Sequence, residues 1–164
     1  MSDLRQDLHR VAMTAIIYNE GRKFLITKRS DKKKVFPGKW HVPGGGLEPT
    51  DYINKIPSNK DTQWYQVLHN SLRREVKEET GLEIGKIEFL TDLAFIRPDG
   101  IPVLVLSYFA PYVGGEVILS PEDSEFTWVT LEEAKSYDLI DGILDELKMV
   151  EERVYGNTLH TAIK

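Results

Sequence analysis

The chain reads as one α/β domain, a mixed β-sheet with helices packed against it. Two patterns predict this. Apolar runs rich in strand formers alternate along the chain with segments whose apolar residues recur at helical spacing. Their order, strands then helix and strands then helix again, is that of a sheet covered by helices. At 164 residues the chain has the length of a single domain, which buries roughly 70% of the surface its unfolded form exposes.

The elements follow in order. Residues 11–18 (VAMTAIIY) form a near-continuous apolar run, the signature of a strand buried on both faces. Asn19-Glu20-Gly21 is a turn and residues 23–28 (KFLITK) a second strand, so the two resemble a hairpin. Residues 29–42 read as a loop carrying the basic patch Lys32-Lys33-Lys34. Pro43-Gly44-Gly45-Gly46 cannot be helical and is a poor strand. Residues 50–61 are polar, contain Pro57 and read as a surface loop.

A helix is expected from Thr62 or just after, because Trp64, Leu68, Leu72 and Val76 recur every fourth residue and Gly81 stands where a C-terminal cap belongs. Residues 88–97 and 102–112 form two strands around the turn Pro98-Asp99-Gly100. A short strand at 126–129 and helices at 131–137 and 141–153 complete the set, the last with Ile143, Leu144, Leu147 and Val150 on its apolar face. The domain is expected to occupy residues 1–154, with 155–164 as a C-terminal tail.

Composition narrows the function. The net charge of −5 argues against a protein that mainly grips a nucleic acid backbone, so no stable nucleic acid complex is expected. The absence of cysteine removes disulfides, thiolate metal sites and cysteine nucleophiles, and fits a reducing compartment. No apolar run is long enough to span a bilayer and the first residues, MSDLRQDLHR, have no signal-peptide character. A cytoplasmic protein without membrane attachment is expected. Whether it forms a homodimer is left open.

The stretch richest in chemistry is Arg74-Glu75-Val76-Lys77-Glu78-Glu79-Thr80-Gly81-Leu82. On a helix, Glu75, Glu78 and Glu79 stand at i, i+3 and i+4 and share one face. Such a face is either solvated surface or a site for a hard divalent cation, which would cancel the repulsion. Upstream, Gly44, Gly45 and Gly46 are either a flexible turn or a place where backbone amides approach a phosphate.

Taken together, PGGGLE and REVKEETGL resemble the two ends of the Nudix box, G-x5-E-x7-R-E-U-x-E-E-x-G-U with U a bulky aliphatic residue. Arg74, Glu75, Val76, Glu78, Glu79, Gly81 and Leu82 match every fixed position of its second half. The first half departs from the pattern. Arg74 follows Gly45 by 29 residues where the box allows 14, so an insertion of 15 residues, about 52–66, interrupts it. Counted forward from Gly45, the box glutamate falls on Asp51; counted back from Arg74, it falls on Gln66.

The resemblance covers roughly residues 10–150 and implies an α/β/α sandwich around a mixed sheet. It implies hydrolysis of a nucleoside diphosphate linked to another group, at a pyrophosphate bond, with Mg2+ or Mn2+ as cofactor and a small nucleotide as partner. Glu75, Glu78, Glu79 and Gly45 are then the metal-site candidates, and Arg74 orients a neighbouring carboxylate. Glu79, Glu122 and Glu125 are the candidates for general base. Lys28, Arg29, Trp40, Gly44, Gly45 and Gly46 are the substrate-side candidates. Alternatives are an ADP-ribose or nucleotide-sugar pyrophosphatase and a nucleotide sensor without catalysis. Isoprenoid diphosphate isomerisation on this fold needs a cysteine, which is missing, and RNA cap removal wants a basic path.

Overall fold

The computed structural model describes residues 8–60 and 62–156. In chain order the strands are β1 (Arg10–Tyr18), β2 (Phe24–Arg29), β3 (Trp40–His41), β4 (Gly44–Gly46), β5 (Glu83–Ile84), β6 (Glu88–Ile96), β7 (Pro102–Gly114) and β8 (Asp123–Val129). The helices are α1 (Val67–Thr80), α2 (Leu131–Ala134) and α3 (Ile143–Tyr155), with a 3-10 turn at Pro49–Asp51.

β1 is the spine. It runs parallel to β7 from Arg10↔Val103 to Tyr18↔Pro111, and β7 pairs antiparallel with β6. On its other edge β1 takes β4, antiparallel, through Ala12↔Gly46, Met13↔Gly45 and Thr14↔Gly44. β2 meets β1 at Tyr18↔Phe24 and otherwise pairs with β3 and β8. The sheet is therefore splayed into two wings, hinged at the β1–β2 turn and open between β4 and β3. That opening positions the site.

β1 is buried on both faces because its alternate residues serve two cores. Met13, Ala15 and Ile17 face α1 and pack with Leu72 and Val76. Ile16 faces the opposite layer and packs with Phe24, Phe109, Leu147 and Val150. Each fully buried side chain of this size contributes roughly 1.5–3 kcal/mol. Helix, mixed sheet and helix form the sandwich that the resemblance implied.

Several boundaries differ from the sequence reading. The glycine run is a strand, because a backbone without Cβ can lie flush against β1: a Cβ on Gly44 would stand 2.1 Å from the Met13 carbonyl oxygen. Residues 40–41, expected in a loop, pair with β2. α1 begins at Val67, not near Thr62, after Gln66 in the left-handed conformation (φ 59°). Trp64 therefore stands outside the helix, stacks obliquely on Tyr52 at 5.4 Å and donates its indole N–H to the Lys55 carbonyl. Of the expected stripe, Leu72 and Val76 are fully buried. Gly81 caps the helix at φ 74°, as its position suggests.

The insertion projects outward, with Ile56 93% exposed. Tyr155 is not tail: it ends α3, donates its hydroxyl to the Asn19 carbonyl at 2.8 Å and packs edge-on against Tyr18. Residues 157–164 of the expected tail lie outside the described residues.

Candidate active site

α1 brings its acidic face against the glycine strand. The Gly44 N–H donates to Glu79 Oε2 at 3.0 Å. A Cβ on Gly45 would stand 2.6 Å from the Glu75 carboxyl carbon, so a larger residue there would displace the Glu75 carboxylate from the strand. Arg74 ties the ridge together with one planar guanidinium. It donates to Asp51 Oδ1 at 2.5 Å, Glu75 Oε1 at 2.8 Å and Glu78 Oε2 at 2.8 Å.

Asp51 also accepts the Glu48 N–H at 2.9 Å within the 3-10 turn, and is buried. Burial alone would raise its pKa. The Glu48 N–H, Arg74 and Ser71 together hold it below the ordinary aspartate value.

Across the opening stand the ends of β2, β3 and β8. Strand alternation separates neighbours here. Arg29 lines the cleft, its Nε donating to the Val35 carbonyl at 2.9 Å, whereas Lys28 pairs with Glu125 at 2.7 Å away from the cleft. Trp40, expected near the substrate, packs edge-on against Tyr137 at 5.0 Å beside the α3 core. Its neighbour His41 is the one that lines the cleft, with Nε2 2.9 Å from Asp123 Oδ1 and 3.1 Å from Thr27 Oγ1. Glu122 lines the cleft and pairs with Lys33 at 2.8 Å. The whole cleft encloses about 800 Å³ and brings together Arg29, Gly44, Gly45, Gly46, Glu75, Glu79 and Glu122. Lys28, Trp40, Glu78, Glu125 and Arg74 do not line it.

A NUDIX domain model matches residues 8–150. This chain belongs to the Nudix family. It is 30% identical over 140 residues to the nucleoside triphosphatase NudI of Klebsiella pneumoniae, across 79% of this chain and 88% of that protein. The NudI of Escherichia coli strain K12 matches to the same extent. Among solved structures it resembles the MutT protein of Methanosarcina mazei Go1, with TM-score 0.68 and 27% identity over 89% of this chain and 96% of that one. The NUDIX domain of Shewanella oneidensis NrtR, solved with ADP ribose, shares the fold at TM-score 0.69 and 20% identity, over 90% and 89% of the two chains. The chain is a Nudix pyrophosphohydrolase. No helix among the described residues is long and apolar enough to cross a membrane.

Seen as a Nudix box, the interrupted motif closes in space. Asp51, sixth after Gly45, reaches Arg74 although 15 extra residues separate them in sequence. The insertion leaves after the turn and returns at the start of α1, so it lengthens the chain without parting the contact.

The box carboxylates are electrostatically strained. Burial pushes Glu79 up to about 8, with Asp123, Glu75 and Glu122 adding repulsion and only the Gly44 N–H opposing. Burial raises Glu75 as well, against the pull of Arg74. Desolvation thus outweighs the like-charge crowding that the spacing suggested. Asp123 goes the other way: burial would raise it, but His41, Thr27 and Arg29 hold it below the ordinary value.

Among the described residues no three acidic or histidine side chains converge on one point; Glu75 and Glu78 both accept from Arg74. The donor set nevertheless suits a hard divalent cation: carboxylate oxygens, one of them buried without a cationic partner, beside a glycine backbone.

Asp51, His41 and Asp123 were not assigned roles from sequence. Asp123 had no readable signal: alternation would put it on the same face as Glu125, two residues on, and it is the irregularity in the β2–β8 pairing at Lys28 and Arg29 that sets Asp123 opposite Arg29. His41 had none either, since two residues of strand inside a loop carry no periodicity.

Proposed function

We propose that this chain hydrolyses a nucleoside triphosphate, or a related nucleoside diphosphate joined to another group, at a pyrophosphate bond with the help of magnesium. One observation carries the reading: a single cleft has the buried Glu79, half-buried Glu75 and a glycine strand on one wall and Arg29 with Lys33 on the other. The similarity to nucleoside triphosphatases supports the choice of substrate. Residues 1–154 act as one catalytic domain, and 52–66 as an insertion at its mouth.

Glu75, Glu78, Glu79 and the Gly45 carbonyl would hold the cation, for which manganese could substitute. Bound there, it neutralises phosphate charge and lowers the pKa of a water it binds. The protein's own groups do the rest. Burial and the neighbouring carboxylates favour the protonated form of Glu79, so a cation held there would have to displace that proton. Arg74 fixes the rotamers of Glu75 and Glu78 from one side and is itself fixed by Asp51. Arg29 gives a phosphate a charge-assisted contact. Among candidate bases, Glu122 lines the cleft, whereas Glu125 is turned away. Asp123 also lines the cleft beside His41, but its lowered pKa makes it a weaker base than an ordinary carboxylate.

The test is a panel of ribo- and deoxynucleoside triphosphates, nucleoside diphosphate sugars and ADP-ribose, assayed for phosphate or pyrophosphate release with Mg2+, Mn2+ or chelator. Release from a triphosphate is expected with either metal and none with chelator. Turnover that survives chelation, or no turnover of any nucleotide, overturns the reading.

A further inference from the structure

The cleft does not stop at the glycine strand. It continues onto the face of the sheet that α3 covers, where Ala12 on β1, Val103 and Val105 on β7, and Leu93 and Phe95 on β6 make an apolar floor. At the inner end of that floor three polar side chains stand in a row, from three different elements. The Thr14 hydroxyl donates to Ser107 Oγ at 3.0 Å, and the Ser107 hydroxyl donates to Glu146 Oε1 at 3.1 Å. Glu146 is 4% exposed and lines the cleft from the first turn of α3, and its Oε2 has no hydrogen-bond partner.

This is a costly arrangement for a core helix. An unpartnered buried carboxylate oxygen forfeits its hydration with no return, and the neighbours Ile143, Leu147 and Val150 show that the layer is otherwise apolar. A leucine at 146 would fill the space without that cost. The hydroxyl chain also has a direction. An ionised Glu146 can only accept, so Ser107 must donate to Oε1 and take the Thr14 hydrogen in turn, and the protein supplies no donor for Oε2. A bound molecule can supply it. Burial pushes the carboxyl pKa up while Ser107 opposes, and a second donor would act in the same sense as Ser107.

We propose that Glu146 reads the nucleobase, accepting at Oε2 the ring N–H of an imide-type base: N3–H of uracil or thymine, N1–H of guanine. Cytosine and adenine present a lone pair at the corresponding ring nitrogen, and a carboxylate repels it. The assignment rests on the reading of the cleft as a nucleoside triphosphate site. The phosphate-binding wall lies at Arg29 and the glycine strand, and Thr14 pairs with Gly44 across the β1–β4 ladder. Base and phosphates would then occupy one continuous cleft on either side of that ladder.

The experiment is a ratio, which cancels any general loss of catalysis. kcat/KM is measured for UTP against CTP and for GTP against ATP, with the deoxy series alongside, and Kd is measured for the non-hydrolysable imido analogues. Wild type should favour the imide member of each pair. In Glu146→Gln, Ser107 can still donate to the side-chain carbonyl, which leaves an NH2 donor where Oε2 stood. The ratio should fall tenfold or more, because a site built to accept a hydrogen bond discriminates strongly against a mismatched partner. Glu146→Leu, which removes both oxygens and suits the apolar layer, should flatten the ratio toward one, and it carries the test if the Gln variant fails to fold.

A ratio within twofold of wild type in the folded variants overturns the assignment, as does a wild-type preference for cytosine and adenine. Those results leave hydrolysis itself standing. Absence of both binding and turnover of every nucleotide overturns the assignment together with the reading beneath it.

Discussion

α1 and α3 do the same structural work on opposite faces of one sheet, and each buries a carboxylate in doing so. α1 sets Leu72 and Val76 against Met13, Ala15 and Ile17; α3 sets Leu147 and Val150 against Ile16 and Phe109. Glu79 ends the first stripe and Glu146 starts the second, both under one-tenth exposed. Their surroundings differ. Glu79 has one N–H donor and three carboxylates around it, Asp123, Glu75 and Glu122. Glu146 has a hydroxyl relay and otherwise apolar neighbours. A buried carboxyl among others of its charge asks for a cation. One held alone by a directed hydroxyl asks for a neutral donor. Burial by itself does not define a role; the charges within reach do.

The largest effect should come from removing charge at α1. Glu79→Gln keeps shape and the contact from Gly44 but loses the anionic oxygen, and turnover at fixed magnesium should fall by about 100-fold or more. Melting in chelator should be unchanged or higher, since a strained carboxyl has been made neutral. Near-full activity of this variant would dissolve the contrast between the helices.

The cores, by contrast, should respond alike. Leu72→Ala and Leu147→Ala each empty a fully buried site, and each should cost about 2–5 kcal/mol in chemical denaturation. A much smaller loss for one helix would mean that its layer is not load-sharing with the other.

A third test follows the protons. Glu79 is raised from 4.5 to about 8 in the folded state, so between those values the folded chain binds more protons than the unfolded one. Its contribution to stability is present below about pH 4.5 and is lost as pH rises toward 8. Glu146, also raised, pulls in the same direction. Metal-free protein should therefore lose stability from pH 5 to 8, and Glu79→Gln should flatten that slope. Asp51 and Asp123, both lowered, act oppositely, contributing stability that is lost in acid. Denaturation midpoints in chelator across pH 2–8 measure both limbs, and a rising limb above pH 5 would contradict the assignment of Glu79.

The smallest effect separates two sequence neighbours. Lys28→Ala should leave kcat/KM within about twofold, a typical surface change, whereas Arg29→Ala should raise KM several-fold. Equal losses would mean that strand alternation does not decide which of the two meets phosphate.

Much of this was legible without coordinates. β1 and β2 announce themselves as continuous runs of apolar strand formers, β6 and β7 as strand-forming segments around the Pro98-Asp99-Gly100 turn, and α3 by apolar residues at helical spacing. The second half of the box was legible as well, since three carboxylates on one turn-and-a-third of helix sit within local sequence. The start of α1 was not. Trp64 keeps the i, i+4 spacing of Leu68 and Leu72, but periodicity cannot tell a helical turn from an aromatic folded back on Tyr52. The role of the glycines was half visible: their flexibility reads from composition, while their pairing with β1 depends on a neighbour 30 residues away.

By itself, then, the sequence determined the mixed sheet, its two helical layers, the family to which the chain belongs, and the acidic ridge of α1, because each depends on contacts within a few residues or on a local motif. Tertiary structure decided the rest. It closed the box by carrying Asp51 to Arg74 across the insertion, chose Arg29 over Lys28 and His41 over Trp40, and joined Thr14, Ser107 and Glu146 from β1, β7 and α3. The physical reason is common to all of these. Each depends on which face a side chain takes when distant strands come into register, and register is set by the packing of the whole sheet.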